Sequence, residues 1–188
     1  MIFKYGLAAA LLVGTVALPA SAATITFTGA NGGDSIGYTE AGLMFDDARI
    51  QSGNCNASAS GAPCMALNKK EISKLTSETL GALFTVTSFW FKLLGASPAE
   101  LTVKSSKGGN LVLTEAVYGN NNDGKTYNLV GNALFADIEW ITFTNSGKGN
   151  SRVDDIGTPA AVPLPAAGWL MVAGLVGLTA LRRKRKAI

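Results

Sequence analysis

Two adjacent carboxylates, Asp154 and Asp155, are the first residues in this 188-residue sequence whose types and spacing suggest chemistry. Calcium in proteins takes about six to eight oxygen ligands, several of them from carboxylates or backbone carbonyls. Asp34 or Asp46, from the first turns of the chain, supplies a further candidate ligand. We therefore predict a structural Ca²⁺ bound by Asp154, Asp155 and Asp34, and no other cofactor. The alternative is that the aspartates end a strand in solvent or cap a turn through a side chain.

A glycan-binding surface is the second possibility, because sugar rings stack on aromatic side chains and hydrogen-bond to amides and carboxylates. Tyr118 and Tyr127 flank an amide-rich loop at residues 120–123, so we predict that these two tyrosines face such a ligand. Trp90 and Trp140 lie in strand-like segments. Aromatic residues that alternate along strands usually belong to the core, and we expect both tryptophans to be buried.

Catalysis has little support in the residue types present. The chain contains no histidine, which removes the commonest general base and the Ser-His-Asp and Cys-His arrangements. Its 13 acidic residues permit carboxylate pairs, but sequence cannot place two of them across a cleft at glycosidase separation. Gly32-Gly33 and Gly108-Gly109 read as turns and not as phosphate-binding loops. We expect a non-enzymatic protein, with a secreted hydrolase as the least favoured alternative.

The two cysteines, Cys55 and Cys64, lie in a loop rich in glycine, serine and alanine. In an exported protein, two cysteines this close most simply pair with each other. Two thiols without histidine make a poor zinc site. The sequence therefore predicts a Cys55–Cys64 disulfide.

The amino terminus has the layout of a secretory signal peptide. Lys4 precedes an uncharged apolar run, and Ala20, Ala22 and Ala23 supply the small residues of a cleavage site. We predict export and cleavage by signal peptidase near Ala22; an uncleaved membrane anchor is the alternative.

Charge is distributed unevenly along the chain. Residues 23–157 contain ten cations and 13 carboxylates, a net charge of −3, whereas Lys4 and five cations near the carboxy terminus account for the overall +3. The exported part therefore has no excess of positive charge, and we exclude nucleic acid as a partner.

The carboxy terminus predicts a single membrane-spanning helix. Residues 156–181 carry no charge, and about 20 apolar residues span a bilayer. Pro163 and Pro165 disfavour helix before residue 166. Five cations then follow, which we expect to stay in the cytoplasm: Arg182, Arg183, Lys184, Arg185 and Lys186.

A proline-rich motif precedes this span: Val162, Pro163, Leu164, Pro165 and Ala166. The motif, the span and the basic cluster together resemble the VPLPA-CTERM sorting signal, a variant of the PEP-CTERM signals of Gram-negative bacteria. The resemblance implies recognition and processing by an exosortase, transient anchoring in the inner membrane, and final location at the cell surface or in extracellular polysaccharide. A plain C-terminal anchor is the alternative. The expected segments are a signal peptide (1–22), a folded domain (23–157) and a sorting signal (158–188).

The middle of the chain predicts an all-β antiparallel sandwich, because short alternating segments are separated by Gly/Asn turns. The predicted strands cover residues 24–28, 43–45, 82–94, 101–104, 111–118, 126–130, 137–144 and 152–156, and the only predicted helix covers 68–80. This order loosely resembles the jelly-roll domains of PEP-CTERM proteins, which are related to carbohydrate-binding modules. The resemblance implies an eight-stranded, two-sheet jelly roll, in which a structural calcium often joins the first and last strands. We expect a surface or matrix protein; a module that binds extracellular polysaccharide is the alternative.

Overall fold

Short β-strands account for most of the regular structure. The computed structural model describes residues 22–30, 32–35, 37–55, 57–95, 98–118 and 123–159. In chain order the strands are β1 (Thr24–Ile25), β2 (Gly33–Ser35), β3 (Tyr38–Glu40), β4 (Leu43–Phe45), β5 (Ala48–Gln51), β6 (Cys64–Leu67), β7 (Ile72–Ser77), β8 (Ser88–Leu94), β9 (Glu100–Ser105), β10 (Asn110–Thr114), β11 (Lys125–Asn128), β12 (Trp140–Asn145) and β13 (Asn150–Gly157). A single-turn helix, α1 (Glu115–Tyr118), follows β10, and a 3-10 turn (Ala133–Phe135) precedes β12.

The strands form two antiparallel sheets. Sheet A has the order β11-β8-β13-β6-β5-β2, with β1 paired to the end of β13, and sheet B has the order β10-β9-β12-β7-β4-β3. Sequence neighbours such as β9 and β10 form hairpins. By contrast, the connection between β12 and β13 leads from sheet B to sheet A. The predicted all-β sandwich of two antiparallel sheets is confirmed, although the described residues form thirteen strands where the resemblance implies eight.

The core lies between the sheets because each strand directs alternate side chains inward. Ile141 and Phe143 of β12 are fully buried, and Phe89 of β8 meets Phe143 edge-on with ring centroids 5.4 Å apart. Trp140, Thr142 and Thr144 alternate with these residues and are only partly buried. The outer face of β12 is therefore partly open to solvent.

The predicted helix at residues 68–80 is wrong, because strand β7 occupies this segment. β7 pairs with β12 on one side and with β4 on the other, and it buries Leu75 completely. The inward position two residues earlier is Ser73, which is also fully buried. A serine at an inward position hides the alternation on which strand prediction depends, so the lysines and glutamates nearby favoured helix instead.

Several other predicted segments differ from the structure. The run at 111–118 is part strand and part helix, and β8 covers only the second half of the run at 82–94. Four further strands have no counterpart in the predicted set: β2, β3, β5 and β6. These are three or four residues long, so they hold too few alternations to stand out from the surrounding turns.

The predicted features at both ends of the chain lie outside the described residues. They are Ala20 of the cleavage site, the sorting motif at 162–166, the predicted span and the basic cluster at 182–186. Ala22 and Ala23 are described, and the Ala23 carbonyl accepts hydrogen bonds from the backbone N–H and hydroxyl of Thr158 at 2.9 and 3.0 Å. Within the described ranges, no helix combines the length and apolar character that crossing a membrane requires.

Candidate functional site: the Trp140 cleft

The predicted disulfide is confirmed, since Cys55 and Cys64 are bonded with an S–S distance of 2.06 Å. Both cysteines are fully buried. The disulfide closes a loop at residues 55–64, which we call the disulfide loop, against the outer face of sheet A. Closing a loop of this length contributes on the order of 2–3 kcal/mol by restricting the unfolded chain.

Asp154 and Asp155 of β13 bind this disulfide loop. The Asp154 carboxylate accepts hydrogen bonds from the hydroxyls of Ser58 and Ser60 at 2.7 and 2.9 Å. The Asp155 carboxylate accepts hydrogen bonds from the backbone N–H groups of Ala59 and Ser60 at 2.7 and 3.2 Å. A bulge in β13 makes both contacts possible, because Asp155 adopts a φ of 47° and the pairing with β8 shifts register there.

Burial gives Asp154 unusual titration behaviour. Its side chain is fully buried, and this desolvation raises its pKa to about 6, although the hydrogen bonds from Ser58, Asp155 and Ser60 lower it. The Ser58 hydroxyl also lies 2.9 Å from the Cys55 carbonyl and 2.7 Å from the Gly61 carbonyl. One hydroxyl hydrogen therefore faces three acceptors and can be donated to only one of them at a time.

The described residues do not fit the predicted calcium ion. Asp34 lies in β2, three strands away from β13 in sheet A, and three strand spacings amount to about 14 Å. Asp46 is exposed in the turn between β4 and β5, and the described residues include no group of three or more acidic, cysteine or histidine side chains able to hold a metal. Hydroxyl and amide hydrogens already occupy the oxygens of Asp154 and Asp155 that a cation would need.

The structure brings Tyr118 and Tyr127 together at the edge of the core. The Tyr118 ring meets Phe91 edge-on at 5.1 Å, and the Tyr127 ring stacks on Phe89 at 5.8 Å. Burial and the neighbouring Tyr127 phenol raise the pKa of Tyr118. Both rings are half-buried, and the Lys125 ammonium lies over the Tyr118 ring, 5.6 Å from its centroid. The two rings therefore present little free flat surface to a sugar; residues 119–122 of the flanking loop lie outside the described ranges.

The two tryptophans have different environments. Trp90 is buried as predicted, with 3% of its surface exposed, beneath the loop that contains Gly124. The expectation that Trp140 is buried is wrong, because it is partly exposed on the outer face of sheet B. The reason is the alternation along β12: Ile141 and Phe143 fill the core, and Trp140 shares the opposite face with Thr142 and Thr144.

Trp140 lines a cleft of about 530 Å³ on sheet B, which we call the Trp140 cleft. Its floor is a row of directly paired residues, Met44 of β4, Thr76 of β7 and Trp140 of β12. Its wall is the chain that follows β7. The lining residues are Met44, Lys74, Thr76, Ser77, Glu78, Thr79, Leu80, Gly81, Ala82, Glu139 and Trp140.

The lining of the Trp140 cleft combines one aromatic ring with hydroxyls and carboxylates. Glu78 and Glu139 are exposed at its rim, and Thr76 and Ser77 are half-buried below them. A ligand pocket with an apolar surface and a few convergent polar groups is the usual form of a small-molecule site. Sequence reasoning missed this site. The usable signal was the alternation along β12, because Trp140 shares its face with two threonines and alternates with the core residues Ile141 and Phe143.

Comparisons with known proteins place the chain in no family. No family model and no curated protein matches it. Among solved structures, the chain is similar to a family 11 carbohydrate-binding module of a cellulosomal cellulase of Clostridium thermocellum, with 13% identity over 77% of this chain and 98% of that chain and a TM-score of 0.31. A score this low does not align individual residues between the two chains.

Proposed function

We propose that this chain is an exported, non-enzymatic surface or matrix protein whose β-sandwich binds a glycan in the Trp140 cleft. The observation that carries the proposal is the partly exposed ring of Trp140 beside hydroxyl and carboxylate side chains. A partly exposed aromatic ring among a few convergent polar groups is the usual lining of a small-molecule site.

Each part of the Trp140 cleft matches a part of a sugar. The C–H face of a pyranose ring is apolar and stacks on the Trp140 indole. The ring hydroxyls donate to the carboxylates of Glu78 and Glu139 and exchange hydrogen bonds with Thr76. A volume of about 530 Å³ falls in the range of ordinary ligand sites. The flat sheet floor lets a longer chain continue beyond it.

The delivery of this domain is a further part of the proposal. Signal peptidase cleaves near Ala22, the carboxy-terminal span holds the chain in the inner membrane, and an exosortase acts at the motif at 162–166. The support is the order of motif, apolar span and basic cluster in the sequence. The sandwich, as a jelly roll, then remains at the cell surface or in the extracellular polysaccharide.

Glycan binding is tested with the purified full-length chain in mild detergent on a glycan array, followed by calorimetry with each glycan bound. Trp140→Ala should weaken binding at least tenfold and Trp140→Phe should weaken it less, with the melting temperature showing that both variants fold. Tyr118→Phe and Tyr127→Phe are the matched controls at the other aromatic pair and should bind normally. Unchanged binding by Trp140→Ala, or no binding of any glycan by the wild type, would refute the proposal.

A further inference from the structure

Two lysines lie beside Trp140 in the adjacent row of sheet B. Lys74 of β7 is directly opposite Thr142 of β12, and Thr142 is directly opposite Lys104 of β9. Neighbouring strands are about 4.8 Å apart, which separates the two lysine Cα atoms by about 10 Å. All three side chains share the outer face with Trp140. The flexible lysine side chains are long enough for both ammonium groups to meet one anion above Thr142.

Neither lysine is used by the fold. Among the described residues, neither the Lys74 nor the Lys104 ammonium group has a hydrogen bond. The ion pair found among those residues, between Arg49 and Glu71 at 3.4 Å, involves neither lysine. Lys104 is exposed and Lys74 is half-buried in the Trp140 cleft. Two unpaired cations on one face of a domain whose sequence carries a net charge of −3 point to a ligand that brings its own negative charge.

Charges of opposite sign lie on opposite sides of Trp140. Lys74 lies two residues before Thr76 in β7, and Thr142 lies two residues after Trp140 in β12; Glu78 follows the end of β7 and Glu139 immediately precedes β12, and both line the Trp140 cleft. Since residues two apart on a strand are about 7 Å apart, the indole lies between a lysine side and a carboxylate side. A sugar stacked on Trp140 then has carboxylates that accept from its hydroxyls in one direction and lysine ammonium groups in the other.

From this arrangement we infer that the glycan is acidic, with uronate residues whose carboxylates bind between Lys74 and Lys104. The inference rests on the proposed glycan-binding function and names its ligand class. Each exposed ion pair contributes about a two- to fivefold gain in affinity, so the two lysines together account for about a four- to 25-fold preference over an uncharged glycan. Salt weakens this preference, because both lysines reach solvent.

The test compares each acidic oligosaccharide with its own neutral counterpart. Calorimetry on the full-length chain in mild detergent uses oligosaccharides of galacturonate, glucuronate and mannuronate, each beside the form in which the carboxyl groups have been reduced to alcohols. The wild type should bind at least one uronate about four- to 25-fold more tightly than its reduced form. The Lys74→Gln/Lys104→Gln double variant should lose that preference, so that it binds the uronate and its reduced form with equal affinity.

Lys125→Gln is the matched control, an exposed lysine in sheet A, and it should keep the wild-type preference. The inference fails alone if a reduced form binds with Trp140 dependence and the uronate has no advantage, or if the double variant keeps the preference. The inference and the proposed function fail together if neither form of any oligosaccharide binds.

Discussion

Replacing Asp154 with asparagine should change how stability depends on pH. The carboxyl group is fully buried and its pKa is raised from 3.8 to about 6. The folded chain therefore holds a proton between about pH 4 and pH 6 that the unfolded chain has released. Stability must fall as the pH rises through this range, and the contribution of the protonated carboxyl is complete below about pH 4 and lost above about pH 6.

The size of the effect follows from the two pKa values. Their difference, at about 1.4 kcal/mol for each pKa unit, corresponds to about 3 kcal/mol. Asparagine resembles the protonated carboxyl: its oxygen can accept from the Asp155 N–H, and its amide can donate to the Ser58 hydroxyl, which then donates to the Cys55 or Gly61 carbonyl. Asp154→Asn should therefore gain about 1–3 kcal/mol over the wild type at pH 7.5 and little at pH 4.

Urea unfolding of the oxidised chain from pH 4 to pH 8 measures this difference. Asp155→Asn is the matched control. It should weaken the contact with the backbone of the disulfide loop and remove only the Asp155 charge, a smaller cause of the raised Asp154 pKa than burial, so most of the pH slope should remain. Parallel stability curves for the wild type and Asp154→Asn between pH 4 and pH 7 would refute the reasoning about burial.

Three further predictions concern the metal, the Trp90 cover and the carboxy terminus. Melting curves with CaCl₂ and with EDTA should coincide, because donors already occupy Asp154 and Asp155; a shift of several degrees would restore the calcium hypothesis. Gly124→Ala should destabilise the fold by about 2–4 kcal/mol in urea unfolding, because a Cβ there would lie 2.1 Å from the Trp90 ring and Gly124 has a φ of +68°. The control is Gly131→Ala, which also has a positive φ but open space around it, and this variant should lose less stability. Mass spectrometry of the chain from its native cells should find a carboxy terminus within or before residues 162–166, and an intact terminus at Ile188 on mature cells would contradict exosortase processing.

Residue types and local patterns determined the class of the fold. Alternation in segments such as residues 101–104 and 126–130 predicts strands because the period of a strand is two residues, whatever lies around it. The Cys55–Cys64 disulfide also followed from sequence, since closing a loop of so few residues costs little chain entropy. The basic cluster at residues 182–186 and the −3 charge of residues 23–157 are counts, and counting needs no structure.

Tertiary structure alone decided β7, the role of the aspartates and the position of Trp140. Residues 68–80 favour helix locally, but pairing on both sides and the burial of Leu75 outweigh that preference. Asp154 and Asp155 meet the disulfide loop about 95 residues away in sequence, a contact that no local pattern encodes. Trp140 is a core residue or a binding surface according to which neighbours share its face, and that depends on how β12 pairs with β7 and β9 when the two sheets close.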